Sequence, residues 1–223
     1  MIFRQFCTAD SDISYLLADS VSRYAAVLDP NIEAEREYID VIRRLDLRLV
    51  YAIETHAHES HVSAAPVLCA DTGAQLVTHH AAQMDCVDRR VAHGERLYLG
   101  EERIGVMETP GHSPCSLSYI WRDRVFTGHT LLAGSTGACQ RADADAGRLF
   151  DSIVERLFAL PDDMLVYPGR VSGERCSSSI GRERTANVEL QAHTSRAHFI
   201  RHKRSEAVTV GREGGWPTAM TSD

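Results

Sequence analysis

Five histidines stand where they could share a metal ion. His56, His58 and His61 lie in Thr55-His-Ala-His-Glu-Ser-His61, where a largely apolar run from Leu47 to Thr55 gives way to polar residues. In an extended segment alternate residues face one side, so His56 and His58 present their imidazoles together. Neutral imidazole is a good ligand for zinc, iron, nickel or copper. His112, in Thr109-Pro-Gly-His-Ser113, and His129, in Phe126-Thr-Gly-His-Thr130, each follow another apolar run. Strand ends gathered on one rim of a fold can bring such distant ligands together. His79, His80, His93, His193, His198 and His202 lack this setting and read as surface or hydrogen-bonded side chains.

The elements that must position these residues follow from apolar periodicity. Ile13, Tyr15 and Leu17, then Ala25 and Val27 before the stop Asp29-Pro30, read as two strands joined by a turn near Asp19-Ser20. Ile32 to Leu45 reads as a helix with an apolar stripe. Leu47 to Thr55 is a strand buried on both faces for much of its length. Val62 to Ala70 reads as a helix stopped by Asp71-Thr-Gly73, and Ala74 to Thr78 as a short strand. Residues 95–99 and 103–109 form one strand pair, and 117–121 and 125–127 another. Arg148 to Leu160 reads as an amphipathic helix, Met164 to Tyr167 as a strand and Ser179 to His193 as a helix. Two runs of strands, each followed by helices, predict an α+β fold: two sheets packed face to face with helices outside, an αββα sandwich. The domain is expected over residues 1–200, with 201–223 a polar, partly ordered tail.

At 223 residues, with 43% hydrophobic and 25% charged residues, the chain can bury one sizeable core. A formal net charge of −7 argues against nucleic acid or an anionic membrane as partner. No run of about 18 apolar residues exists, so no membrane span is expected. The first residues lack the pattern of a signal peptide, and a cytoplasmic location is expected. The six cysteines are scattered without a C-x-x-C pair and read as free thiols, mostly buried.

Together, Thr55-His-Ala-His-Glu-Ser-His61, Thr109-Pro-Gly-His112, Phe126-Thr-Gly-His129 and Val166-Tyr-Pro-Gly-Arg170 resemble the ordered motifs of the metallo-β-lactamase superfamily. The nearest branch is that of the persulfide dioxygenases, related to glyoxalase II, and the resemblance runs over about residues 1–195. It is carried further by Ser14-Tyr-Leu-Leu-Ala-Asp19, Asp145-Ala-Gly-Arg-Leu-Phe-Asp-Ser152 and Glu183-Arg-Thr-Ala-Asn187. The sequence also departs from the family. The motif aspartate is Ser60, the bridging aspartate is His129, and the last histidine is Arg170.

Mapped residue by residue, the resemblance implies one metal held by His56, His112 and His129, with His58 as fourth ligand or supporting partner. Only His61 of the second site remains. Arg170 puts a permanent cation where a second ion would sit, and it is expected to pair with an anionic substrate group or with Glu59. His58, His61 and Arg170 are the expected catalytic side chains. A triad with His129 in place of a carboxylate is neutral, which favours an anionic sulfur ligand. One Fe(II) is the expected cofactor, with zinc as the alternative. Ala138 stands at a family arginine position, and Asn187-Val-Glu189 stands where the family's Asn-Pro-Arg carries an arginine that helps hold glutathione, so the resemblance implies that glutathione-type contacts are lost. Three functions follow: an iron dioxygenase acting on a persulfide or small thiol, a zinc thioester hydrolase of the glyoxalase II type, or a non-catalytic binding member of the fold. The family's habit of dimerising makes a homodimer the assembly to expect.

Overall fold

A computed structural model describes residues 1–59, 61–191 and 193–213 of the chain. Two six-stranded sheets pack face to face. The first holds β1 (Ile2–Cys7), β2 (Ile13–Ala18), β3 (Tyr24–Leu28), β4 (Arg48–Ile53), β5 (Gln75–His79) and β6 (Arg89–Val91) in that order. The second runs β12 (Ser178–Ser179), β11 (Leu165–Pro168), β10 (Arg124–Gly128), β9 (Leu117–Trp121), β8 (Glu102–Glu108) and β7 (Arg96–Leu99). α1 (Glu35–Arg44) and α2 (Ala65–Thr72) cover the first sheet; α3 (Ala146–Asp151), α4 (Ile180–Ala186) and α5 (Arg196–Glu213) cover the second. The expected αββα sandwich is the architecture found.

Three apolar layers hold it together. Between the sheets lie Ile13, Tyr15, Leu17, Leu28, Ile53, Tyr119, Trp121 and Phe126. Tyr38, Val41 and Ile42 of α1 pack with Leu68 on the outer face of the first sheet. Leu149, Ile153, Leu157, Ile180 and Phe199 do the same for the second. Burying each such side chain stabilises the fold by roughly 1.5–3 kcal/mol.

Most expected elements are in place, with shifted ends. Gly73 closes α2 in the left-handed conformation, as its Asp-Thr-Gly stop predicts. β1, β6 and β12 were not expected; β6 and β12 are too short to show a period, and β1 pairs along its whole length with β2. The expected helix at 148–160 begins earlier, capped by Asp145, and continues as a π-helical turn over Ser152–Leu157. There Ser152 donates to the Pro110 carbonyl at 2.7 Å, two residues before His112. The helix expected over 179–193 ends instead at Ala186. Asn187 leaves the helical conformation, and its side-chain amide donates to the Ser135 carbonyl and to Glu183.

The expected boundary at residue 200 falls inside α5, an 18-residue helix. Its Phe199 is fully buried beside Phe150, and its Lys203 is buried against Glu189 at 2.5 Å. The cysteines are free but not mostly buried: Cys7, Cys86 and Cys176 are exposed and only Cys115 is buried. No helix among the described residues is long and apolar enough to cross a membrane.

Candidate metal centre

β3, β4, β8, β10 and β11 all end on one rim of the sandwich. β3 and β4 are parallel, as are β10 and β11; β8 and β10 flank β9, each antiparallel to it. Bonds between the sheets align the two rims. Ile13 N–H donates to the Gly169 carbonyl, Leu117 N–H to Thr55, and the Tyr15 hydroxyl to Pro168. The residues just past these strand ends are therefore neighbours: Asp29, His56, His112, His129 and Arg170, with Asp12 at the start of β2.

The site brings together the triad named from sequence. One ligand nitrogen from each of His56, His112 and His129 lies within 4.8 Å of the others. Their ring centroids are 4.8 to 5.1 Å apart. The route to His129 is tight. Gly128 holds φ +50°, and a Cβ there would lie 2.5 Å from the Thr55 hydroxyl oxygen.

The hydrogen bonds set the tautomers. The Asp29 carboxylate can only accept, so the Thr55 hydroxyl at 2.8 Å must donate to it. The same Thr55 oxygen, 2.9 Å from His56 Nδ1, then accepts the Nδ1 proton. The Ala138 carbonyl likewise accepts from His112 Nδ1 at 2.8 Å. Both rings are left with a bare Nε2 lone pair, the arrangement a metal-ligating histidine needs. His129 Nε2 is buried with no hydrogen-bond partner among the described residues. An orphaned buried nitrogen beside two bare ones fits a metal ion. Burial pushes the His129 imidazole down to about 3, assisted by His112 and His58. Burial also lowers His56 and His112. All three are neutral near pH 7, as ligands must be.

His58 stands apart from this group. Its Nε2 lies 3.0 Å from Asp29 and 3.1 Å from Glu54, both buried. Burial alone would lower its pKa, but the two carboxylates outweigh it and raise it to about 10. Its Nδ1 is a second buried nitrogen without a hydrogen-bond partner among the described residues, and it could ligate a metal only on giving up its proton. His61 stacks on His58 with centroids 4.2 Å apart and faces Asp12 at 3.4 Å. Ser60, expected in place of the motif aspartate, lies outside the described residues.

Arg170 does not pair with Glu59. Its guanidinium reaches Asp12 at 3.5 Å and the Asp10 carbonyl at 3.0 Å. Glu59 is held instead by Arg141 at 2.8 Å. The reason is topological: β2 pairs its start against the end of β11, through an isolated bridge between Asp12 and Arg170. A cavity of about 500 Å³ opens beside the three histidines, bordered by Leu132, Gly137, Ala138, Gln140 and the two arginines.

Four acidic or basic residues of this network were not anticipated: Asp12, Asp29, Glu54 and Arg141. Asp29 reads in the sequence only as a strand stop. Glu54, a charge near the end of an apolar run directly before the histidine cluster, is the one with a visible signal. Glu183, fully buried, accepts from Gly134 N–H and Asn187 and so braces the loop whose Ala138 carbonyl holds His112.

Comparison with known proteins agrees with this architecture. The profile of the metallo-beta-lactamase superfamily matches residues 14–170. The mitochondrial persulfide dioxygenase ETHE1 of Homo sapiens is 30% identical over 193 residues, spanning 85% of this chain and 76% of that protein. A hydroxyacylglutathione hydrolase of Polaromonas sp. is 30% identical over 177 residues, spanning 76% of this chain and 66% of that protein. The crystal structure of ETHE1 from Myxococcus xanthus superposes with a TM-score of 0.89 at 35% identity, covering 92% of this chain and 91% of that one.

Proposed function

The chain belongs to the metallo-β-lactamase superfamily, and we propose that within it this protein is a mononuclear non-haem iron dioxygenase acting on a persulfide or small thiol. The observation that carries the reading is the ligand face. His56, His112 and His129 offer three neutral nitrogens and no carboxylate. A neutral ligand set leaves the charge of the metal uncompensated, which favours a sulfur anion over a neutral ligand. The similarity to proteins named persulfide dioxygenase supports the same reading.

Iron(II), when bound, supplies a centre where a sulfur anion and dioxygen meet. The net reaction places both oxygen atoms on the terminal sulfur, RSSH + O₂ giving RSSO₂H. Thr55 and Ala138 hold His56 and His112 with their Nε2 lone pairs bare. His58, held through Nε2 by Asp29 and Glu54, backs the face from behind, and would serve as a fourth ligand only on losing its Nδ1 proton. Leu132, Gly137 and Ala138 give the cavity an apolar wall that limits water beside the sulfur. His61, set against Asp12, positions His58 and the rim that bears Arg170.

Hydrolysis of a thioester would require a carboxylate to orient water. Asp12, Asp29 and Glu54 do not border the cavity beside the three histidines, and Glu59, which does, is paired with Arg141. The test is metal analysis of freshly purified protein, followed by oxygen uptake with a low-molecular persulfide. One iron per chain and one O₂ consumed per persulfide are expected. Zinc with thioester hydrolysis, or failure to bind metal in iron- and zinc-supplemented medium, would overturn the proposal.

A further inference from the structure

The cavity beside the three neutral histidines also has a cationic border. Two arginines border it, Arg141 and Arg170. Arg141 is saturated: it pairs with Glu59 at 2.8 Å and with Asp143 through two nitrogens, and donates to the Ala57 carbonyl. It ties the histidine loop to the 139–145 loop and has little donor capacity to spare. Arg170 differs. Only two contacts engage its five N–H groups among the described residues, one of them a long 3.5 Å approach to Asp12. The side chain is 43% exposed, and the cavity is where its remaining donors can be used.

Its base is rigid. Ile13 N–H donates to Gly169 and Val171 N–H to Ser11, so backbone on both sides of Arg170 is stitched to the turn before β2. Asp12 is buried and faces both His61 and Arg170, which keeps the guanidinium on the histidine side of the turn. The pocket thus presents a metal-binding face and, separately, a fork-shaped cation.

We propose that Arg170 is a specificity-determining anion receptor, and that the substrate is a small thiol or persulfide carrying its own carboxylate. The sulfur anion faces the three histidines while the carboxylate pairs with the guanidinium. A cavity of about 500 Å³ suits a ligand of a few carbon atoms with both groups on one short chain. This inference rests on the reading of His56, His112 and His129 as the metal face.

Cobalt(II)-loaded protein provides a test that does not need turnover, because a bound thiolate gives a sulfur-to-cobalt charge-transfer band. Affinities are read by titrating 3-mercaptopropionate and 3-mercapto-1-propanol, which differ only at the carboxylate. The acid is expected to bind about tenfold or more tightly than the alcohol, the scale of one charge-assisted pair. R170Q is expected to remove most of that preference, and R170K to keep part of it, since lysine keeps the charge but not the fork. The cobalt ligand-field spectrum reports whether each variant retains the metal site. A band with no preference for the acid, or an equal loss for both ligands in R170Q, overturns the anion receptor and leaves the metal reading standing. No band with either thiol overturns the thiol-binding reading and this inference with it.

Discussion

Asp29→Asn isolates the part of the site that sequence motifs do not show. The Asp29 carboxylate accepts from Thr55 N–H at 2.7 Å, the Thr55 hydroxyl at 2.8 Å and His58 Nε2 at 3.0 Å. Oδ1 takes the backbone and His58, and Oδ2 takes the hydroxyl. Asparagine is the same size and tolerates the left-handed backbone here, φ +47°, so the fold is not perturbed by shape. Its carbonyl oxygen can replace Oδ1, which leaves the NH₂ group facing the Thr55 hydroxyl. That hydroxyl must now accept. Its own proton has then lost the Asp29 acceptor, and His56 Nδ1 is the remaining partner that can take it, which favours turning the hydroxyl proton toward that nitrogen. The His56 proton moves to Nε2, where the ligand lone pair was.

Two losses follow. Removing a partner that orients a metal-ligating histidine costs about 10–100-fold in metal affinity. The His58 imidazolium loses one of its two carboxylates, and with the weakened hydrogen bonds the metal-free protein should lose roughly 3 kcal/mol, less than for a fully orphaned charge because Glu54 remains. Metal affinity is read by chelator competition and stability by urea unfolding of the metal-free protein. Thr55→Val removes the relay without touching the charge and should lower metal affinity while shifting stability less. Wild-type metal affinity in D29N would refute the tautomer argument; a deficit in D29N but none in Thr55→Val would refute the relay through the hydroxyl.

The metal-free protein should be most stable near pH 6.5. His129, held near 3 in the fold, stays neutral while the unfolded chain takes up a proton below about 6.5, so stability falls with pH across that window. His58, raised to about 10, keeps its proton when the unfolded chain has lost it, so stability also falls as pH rises from about 6.5 to 10. A urea midpoint flat between pH 5 and 9, tracked by far-UV circular dichroism, would contradict both. Glu183→Ala strips the buried brace from Gly134 and Asn187, and should cost about 1–3 kcal/mol. It should also loosen the Ala138 contact to His112, seen as faster metal release; wild-type release would rule that coupling out. Phe199→Ala should destabilise the fold by roughly 3–5 kcal/mol in chemical denaturation, because the ring is fully buried. A loss under about 1 kcal/mol would mean that α5 is dispensable packing.

The order of elements and a cluster of five candidate histidines were legible in the chain itself, and the family resemblance singled out three of them. Apolar periodicity marks most of the strands, and each site histidine sits just beyond one, a local pattern that needs no long-range information. His56, His112 and His129 are separated by 56 and 17 residues, yet each strand-end position alone points to the same rim. Local pattern could not show what the other groups at that rim do. Asp29 reads as a turn residue until the pairing of β3 with β4 puts its carboxylate against Thr55. Arg170 reads as a partner for Glu59 until the join between β2 and β11 brings Asp12 to it and leaves Glu59 to Arg141. Residues from 201 onward read as a tail because nothing in their charge pattern shows that the helix they continue is anchored on the second sheet's outer layer through Phe199. Candidate ligands depend on residue type and local position, both written in the sequence. Tautomer, ion-pair choice and charge balance depend on which distant chains are brought within about 3 Å, and only the packed sandwich decides that.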